Sequence, residues 1–190
     1  MSGTTLNAFL FLLTSVFDIY LFVLIIRLVL AFSGGHYEHP ITQLIVKLTS
    51  FIIDPLRRFL PDVKGIETST IVVILLVEFI KFFLISCITF GFPNLLGVII
   101  LSFADAFKLL LQAFFYGIIL QAIISFIQPQ APVLFILNKF TAPILRPFQR
   151  FIPPVSGFDI SPIPALIVLQ LLIIIVVNPL LAKGLAIAVG

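Results

Sequence analysis

Few side chains in this chain can carry charge or bind a metal, and most that can are set in apolar surroundings. Asp18, Arg27, Glu78 and Lys81 each interrupt a run of Leu, Ile, Val and Phe. An ionisable group inside hydrocarbon is costly, so by default it marks a functional or paired position. The charges of these residues sum to zero, which fits mutual pairing better than a ring of one sign around a pore. His36 and His39 flank Glu38. Two histidines at this spacing can bind a metal, but a structural site normally uses four ligands, so no metal is expected. The sequence has no phosphate-binding glycine loop, zinc-protease helix or cysteine pair. No histidine follows His39, so a serine–histidine nucleophile would have to draw on a loop histidine, and nothing else marks one. Cys87, the only cysteine, has no disulfide partner within the chain and reads as packing. Together these observations point to a non-enzymatic protein without a cofactor.

The elements that hold these residues follow from composition. Hydrophobic residues make up 61% of the 190 residues and charged residues 10%, with 22 Phe and no Trp. Mean hydropathy is +1.29. A soluble domain is usually ~45–50% apolar and ~25% charged, and disorder needs low hydrophobicity. Both are excluded, leaving a polytopic membrane protein. A bilayer core ~30 Å thick needs ~20 apolar helical residues. Four stretches qualify: Leu6–Phe32, Ile71–Phe92, Leu95–Ile127 and Ile163–Ala182. The third is interrupted by Asp105 and Lys108, so its membrane part is expected over Leu109–Ile127. Those two charges are expected at the outer interface, as a solvated i,i+3 pair. Continuous apolar runs favour helices over the alternating strands of a barrel. The first stretch is too long for a cleaved signal and lacks a basic flank. Pro93 and Asn94 mark the break between spans two and three.

Net charge is only +3, and the basic residues lie beside apolar spans. They suggest orientation and anionic lipid headgroups, with no nucleic-acid contact. Lys47, Arg57, Arg58 and Lys64 fall between spans one and two, and Lys139, Arg146 and Arg150 between spans three and four. The turn between spans two and three has no Lys or Arg. The positive-inside bias therefore places both long connections in the cytoplasm and both termini outside.

The chain also repeats itself. At a shift of 92 residues, Pro40 meets Pro132, Lys47 meets Lys139, Thr49 meets Thr141, and Pro55 to Pro61 meets Pro147 to Pro153. Gly65 then meets Gly157, Glu67 meets Asp159, and Ser69 meets Ser161. Upstream the shift is 94, because the first copy has two extra residues near Ser33 to Gly35. Residues 1–92 and 95–190 thus read as two units of two spans each, parallel and related by an axis along the membrane normal. In each connection apolar residues recur at helical spacing: Ile41, Leu44, Ile45, Leu48, Phe51 and Ile52 in the first, and Val133, Ile136, Leu137, Phe140 and Ile144 in the second. These read as interfacial amphipathic helices of ~13 residues, ended or kinked at Pro55 and Pro147. The expected fold is an all-α membrane protein: four transmembrane helices as two tandem parallel hairpin repeats, each with a cytoplasmic interfacial helix.

Depth along the spans suggests partners. At ~1.5 Å per residue, Arg27 lies ~9 Å and Glu78 ~12 Å from the inner face, while Asp18 lies ~22 Å and Lys81 ~16 Å in. Arg27, Glu78 and Asp18 align with Gln121, Gln170 and Gln112 in the second copy. The expectation is an Arg27–Glu78 ion pair, a Gln121–Gln170 hydrogen bond as its counterpart, and a looser Asp18–Lys81 match. The plain and preferred reading of these groups is inter-helix adhesion; the sharper one is an ion or proton path. Ser69, and Asp159 with Ser161, are placed to cap spans two and four. Gly184 and Ala188 have the small-xxx-small spacing of close helix contact.

The run from Thr141 through Pro143, Arg146, Pro147, Arg150, Pro153 and Pro154, followed by Gly157, Asp159, Ser161 and Pro162, resembles the signature of the YggT family, YlmG in other lineages. The first copy, with Pro55, Arg57, Arg58, Pro61, Gly65 and Ser69, is a weaker match with Glu67 for the family Asp and Thr70 for the Pro. Arg27 resembles the family's arginine near the end of the first span. The resemblance implies a bacterial inner-membrane protein. It links relatives to osmotic tolerance, cell-division neighbourhoods and, in plastids, nucleoid distribution and cytochrome assembly. The expected function is a scaffold or assembly factor presenting the basic motifs Arg57, Arg58, Arg146 and Arg150 to the inner leaflet, or to another membrane or cytoplasmic protein. The rival is a channel or transporter component in osmotic or ion homeostasis.

Overall fold

The computed structural model describes residues 3–32, 40–60, 67–151 and 159–190. His36, Glu38, His39, Pro61, Lys64, Gly65, Pro153, Pro154 and Gly157 lie outside the described residues. Among those described there is no strand. The helices are α1 (Gly3–Phe32), α2 (Pro40–Arg57), α3 (Thr68–Thr89), α4 (Leu95–Ile127), α5 (Pro132–Phe151), α6 (Pro162–Leu172) and α7 (Asn178–Val189), with a π-helical segment Ile173–Val177 joining the last two. Four helical stretches are long and apolar enough to cross a membrane: Thr4–Phe32, Thr68–Thr89, Leu95–Ile127 and Pro162–Val189. Phe11, Val16, Ile19, Leu96 and Ile175 are each at least 66% exposed. In water such apolar cover would be an aggregation hazard; in a bilayer it is ordinary solvation.

Two boundaries differ from the sequence reading. Helix α4 runs unbroken through Asp105 and Lys108 for 33 residues, because Asp105 is neutralised by a partner on α3 and need not leave the bundle. The last helical stretch continues past Ala182 to Val189. Pro55 and Pro147 do not end their helices: α2 has 18 residues with Pro55 inside, and α5 has 20 with Pro143 and Pro147 inside. The residue four before Pro55 is Phe51, already near the end of the helix, so the lost hydrogen bond falls where the ladder is finishing.

The turn between α3 and α4 is built by residue type. Gly91 follows the C-cap Phe90 at φ +94°, the left-handed conformation that glycine adopts without a Cβ penalty. Asn94 then caps α4, its side chain accepting the Leu96 N–H at 3.0 Å. Helix α4 is the centre of the bundle, packed against α1, α3, α5, α6 and α7. Against α7 the approach is close enough that a Cβ on Gly97 would lie 2.2 Å from the Ala188 nitrogen, and one on Gly184 3.0 Å from the Leu101 side chain. The small residues Gly184 and Ala188 therefore serve a contact within the chain. At the turn, the Asn94 N–H donates to the Ala188 carbonyl at 3.0 Å.

Candidate functional site

Two charged clusters lie inside the bundle. The first is centred on Lys81 of α3, which is 1% exposed. Its Nζ donates to Asp18 Oδ1 on α1 at 3.0 Å and to Asp105 Oδ2 on α4 at 2.6 Å. It also lies 2.7 Å from Glu78 Oε2, one turn earlier on α3, although this contact is off the angle of a hydrogen bond and both Glu78 oxygens lack a hydrogen-bond partner. Lys108, 3.8 Å from Asp105, extends the cluster toward the surface. One ammonium thus ties three helices together. Asp105 was expected at the outer interface, and the structure corrects this. Counting from Gln128 overstates its distance, because α4 continues beyond the bundle at that end. Counted from the turn instead, Lys81 lies twelve residues before Pro93 and Asp105 twelve after it (93 − 81 = 105 − 93), so an antiparallel hairpin brings them level.

The second cluster holds Arg27 of α1, 3% exposed. Its Nε donates to Glu67 Oε2 at 2.9 Å, and its Nη1 donates to Thr49 Oγ1 at 2.8 Å and Ser50 Oγ at 3.4 Å on α2. Thr70 also donates to Glu67 Oε2, at 2.7 Å. Arg27 therefore does not pair with Glu78, as expected from depth. Its side chain turns toward the end of the span, where Glu67 and α2 supply more acceptors than the middle of α3. The glutamine pair is corrected in the same way. Gln121 accepts from Thr141 on α5, while Gln170 is exposed. Thr49 and Thr141 are aligned residues in the sequence, so Arg27 and Gln121 reach matching positions on α2 and α5. Glu67 and Thr49 were the residues missed. Their alignment with Asp159 and Thr141 was the available signal.

The caps also differ from expectation. Neither Ser69 nor Ser161 uses its hydroxyl as a cap; both are buried, without a hydrogen-bond partner for Oγ. Ser69 falls inside α3, whose N-cap is Glu67. At α6, Asp159 does the work from two residues earlier, its Oδ1 accepting the Ser161 N–H at 2.9 Å and its Oδ2 the Gln149 amide at 2.8 Å. Partial burial raises the pKa of the Asp159 carboxyl, but the hydrogen bonds from Ser161 and Gln149 outweigh it and hold the group below its ordinary value. Arg57, Arg58, Arg146 and Arg150 are exposed at the ends of α2 and α5. Among the described residues, no three His, Cys, Asp or Glu side chains are grouped to hold a metal ion.

Between the two clusters the interior is mostly apolar, the buried hydroxyls of Tyr20 and Ser69 being exceptions. Leu21, Leu24 and Ile25 separate Asp18 from Arg27 on α1, and Val73 and Ile74 separate Glu67 from Glu78 on α3. Ile118 lies between Asp105 and Gln121 on α4. All six apolar residues are at most 5% exposed.

These features define a small all-helical protein with four helices fit to span a membrane and ion pairs linking them. The chain belongs to the CCB3/YggT family, whose model matches residues 6–88 and again 100–180. It is 29% identical over 180 residues to the uncharacterized protein YggT of Escherichia coli, covering 94% of each chain. An uncharacterized protein of Pseudomonas aeruginosa is also 29% identical over 180 residues, covering 93% of this chain and 91% of that protein. The uncharacterized protein in the proC 3′ region of Vibrio alginolyticus is 31% identical over 172 residues, covering 87% and 91%. No solved structure matches.

Proposed function

We propose that this protein is a non-enzymatic, multi-pass scaffold or assembly factor of the bacterial inner membrane. The observation that carries the reading is the apolar layer between the two charged clusters, built from Leu21, Leu24, Ile25, Val73, Ile74 and Ile118. Charge at both levels with a mostly apolar layer between them suits a structural clamp, since an ion crossing that layer would lose most of its hydration without replacement. The clusters hold the helices, and the exposed ends of α2 and α5 do the presenting.

In this reading the chain is two tandem parallel hairpin repeats, which the two stretches matched by the family model support. Helices α2 and α5 are cytoplasmic and lie in the headgroup layer. On α2, Thr42, Ile45, Thr49 and Ile53 face the bundle, while Leu44, Leu48 and Phe51 are exposed, an arrangement suited to a helix set along a lipid surface. Arg57, Arg58, Arg146 and Arg150 contact anionic headgroups or a membrane or cytoplasmic partner, and both termini face outward. The Lys81 cluster favours the second reading, a component of a channel or transporter, because intramembrane carboxylates on several helices also occur in ion paths.

Flux separates the two. Purified protein in liposomes is expected to pass no K⁺, Na⁺ or protons above the lipid background, and photo-crosslinkers at positions 58 and 150 are expected to capture a defined partner. An ion flux that Glu78→Gln abolishes would overturn the scaffold.

A further inference from the structure

Three cavities lie in a row along one side of the bundle. The first, about 240 Å³, lies between α1, α3 and α4, with Phe103 and Phe107 at its far end. It shares Leu28, Ile71 and Leu110 with the second, about 280 Å³, which is apolar and reaches α5. The second shares Phe32 and Pro143 with the third, about 300 Å³, whose other lining residues include Lys139 and Arg146. The row is therefore hydrocarbon-lined over most of its length and cationic at the end where α1 stops and α5 lies. From Phe103 to Phe114 it follows eleven residues of α4, or ~16 Å, about half of a ~30 Å hydrocarbon core. A comparable cavity of about 270 Å³ on the other side, between α1, α2, α4 and α5, has no charged residue in its lining.

We infer that this groove is a binding site for one anionic phospholipid, with its phosphate at Lys139 and Arg146 and an acyl chain along Leu28, Ile71 and Leu110. Charge complementarity selects the occupant. A neutral hydrocarbon would gain nothing from the two cations, and a free phosphate nothing from the apolar run. Arg146 is exposed, and Lys139 is half-buried with its Nζ 5.0 Å above the Phe135 ring, so both heads stay in the layer where a phosphate would lie. Arginine suits phosphate because its planar fork can bind two oxygens at once. The inference deepens the reading of α5 as a headgroup-layer helix by giving it one lipid at one place, and it rests on that reading.

The test is native mass spectrometry of the full chain in detergent, titrated with phosphatidylglycerol, with phosphatidylcholine of the same chains, and with glycerol phosphate. At ~1 kcal/mol per charge, neutralising Lys139 or Arg146 to Gln should weaken phosphatidylglycerol binding about 5-fold, and neutralising both about 30-fold. The Arg57→Gln/Arg58→Gln variant should leave it within about 2-fold. Ile71→Trp should reduce binding by blocking the groove while elution volume stays unchanged. Equal binding of phosphatidylcholine, equal loss in the Arg57/Arg58 variant, or effective competition by glycerol phosphate would overturn the site. Failure of lipid binding with no ion flux would leave the scaffold intact, whereas flux with selective lipid binding would overturn only the scaffold.

Discussion

Arg27 and Glu67 are 3% and 4% exposed and 2.9 Å apart, so removing either leaves the other's charge buried without its ion-pair contact. Removing one member of such a pair typically costs ~3–5 kcal/mol, whereas replacing both is often close to neutral. Arg27→Gln and Glu67→Gln are each expected to lower the detergent unfolding midpoint sharply, and the double variant to regain most of the loss. A double-mutant cycle measures this, and additive losses would show that the contact carries no coupling. Asp159 makes a prediction in pH. Because its carboxyl is held below its ordinary value by hydrogen bonds from Ser161 and Gln149, the bonded form is the ionised one. Its stabilisation is complete above the ordinary carboxylate range and fades as pH falls through the lowered value. Protection of the Ser161 amide in hydrogen exchange should therefore fall with acidification, and Asp159→Ala should remove that dependence.

The presence of buried charge was legible from residue type alone; its partners were not. Depth along a span fixes one coordinate. Arg27 and Glu78 agree in that coordinate, yet a long guanidinium reaches toward the end of its span, where Glu67 and the α2 hydroxyls lie. Lys81 and Asp105 are level when counted from the hairpin turn, whereas distance from Gln128 misleads because that end of α4 overshoots the bundle.

Among elements, the break before α4 was legible from Pro93 and Asn94, but the helix's unbroken run through Asp105 and Lys108 was not. What periodicity could not supply was its neighbour on each face. Gly97 shows why: its role depends on the Ala188 backbone, distant in sequence. Any side chain at position 97 must push α7 away. Gly97→Leu is expected to cost at least the ~1–3 kcal/mol of an overpacked core, read as a lower unfolding midpoint. Gly91→Ala acts differently, since there is open space around that position and only the positive φ resists; its cost should be about 1 kcal/mol.

For the molecule as a whole, the four apolar stretches and the all-helical class were fixed by composition and run length, because a bilayer leaves a chain few alternatives. The apolar layer between the charged clusters was not, since its six residues look like any others in these spans. With Cys87 replaced by Ala, a cysteine at position 24 is expected to resist a water-soluble maleimide, while one at position 58, exposed beyond the end of α2, reacts. Labelling at 24 as fast as at 58 would mean that water reaches the layer.

The π-helical turn Ile173–Val177 has a consequence for this assembly. Buried Ala165, Leu169, Ile173, Val177, Gly184 and Ala188 form one stripe along the last helix. The 23 residues from first to last (188 − 165) would rotate about 2,300° in a regular helix, roughly 140° past six full turns. A wider turn absorbs much of that surplus just before Pro179, whose ring crowds the carbonyl four residues earlier. Deleting one residue from this stretch would leave 22 steps, about 2,200° or roughly 40° past six turns, so a regular helix would keep the glycine seam against Gly97 and the shorter chain should still close, whereas a one-residue deletion within α7 should swing Ala188 off the seam.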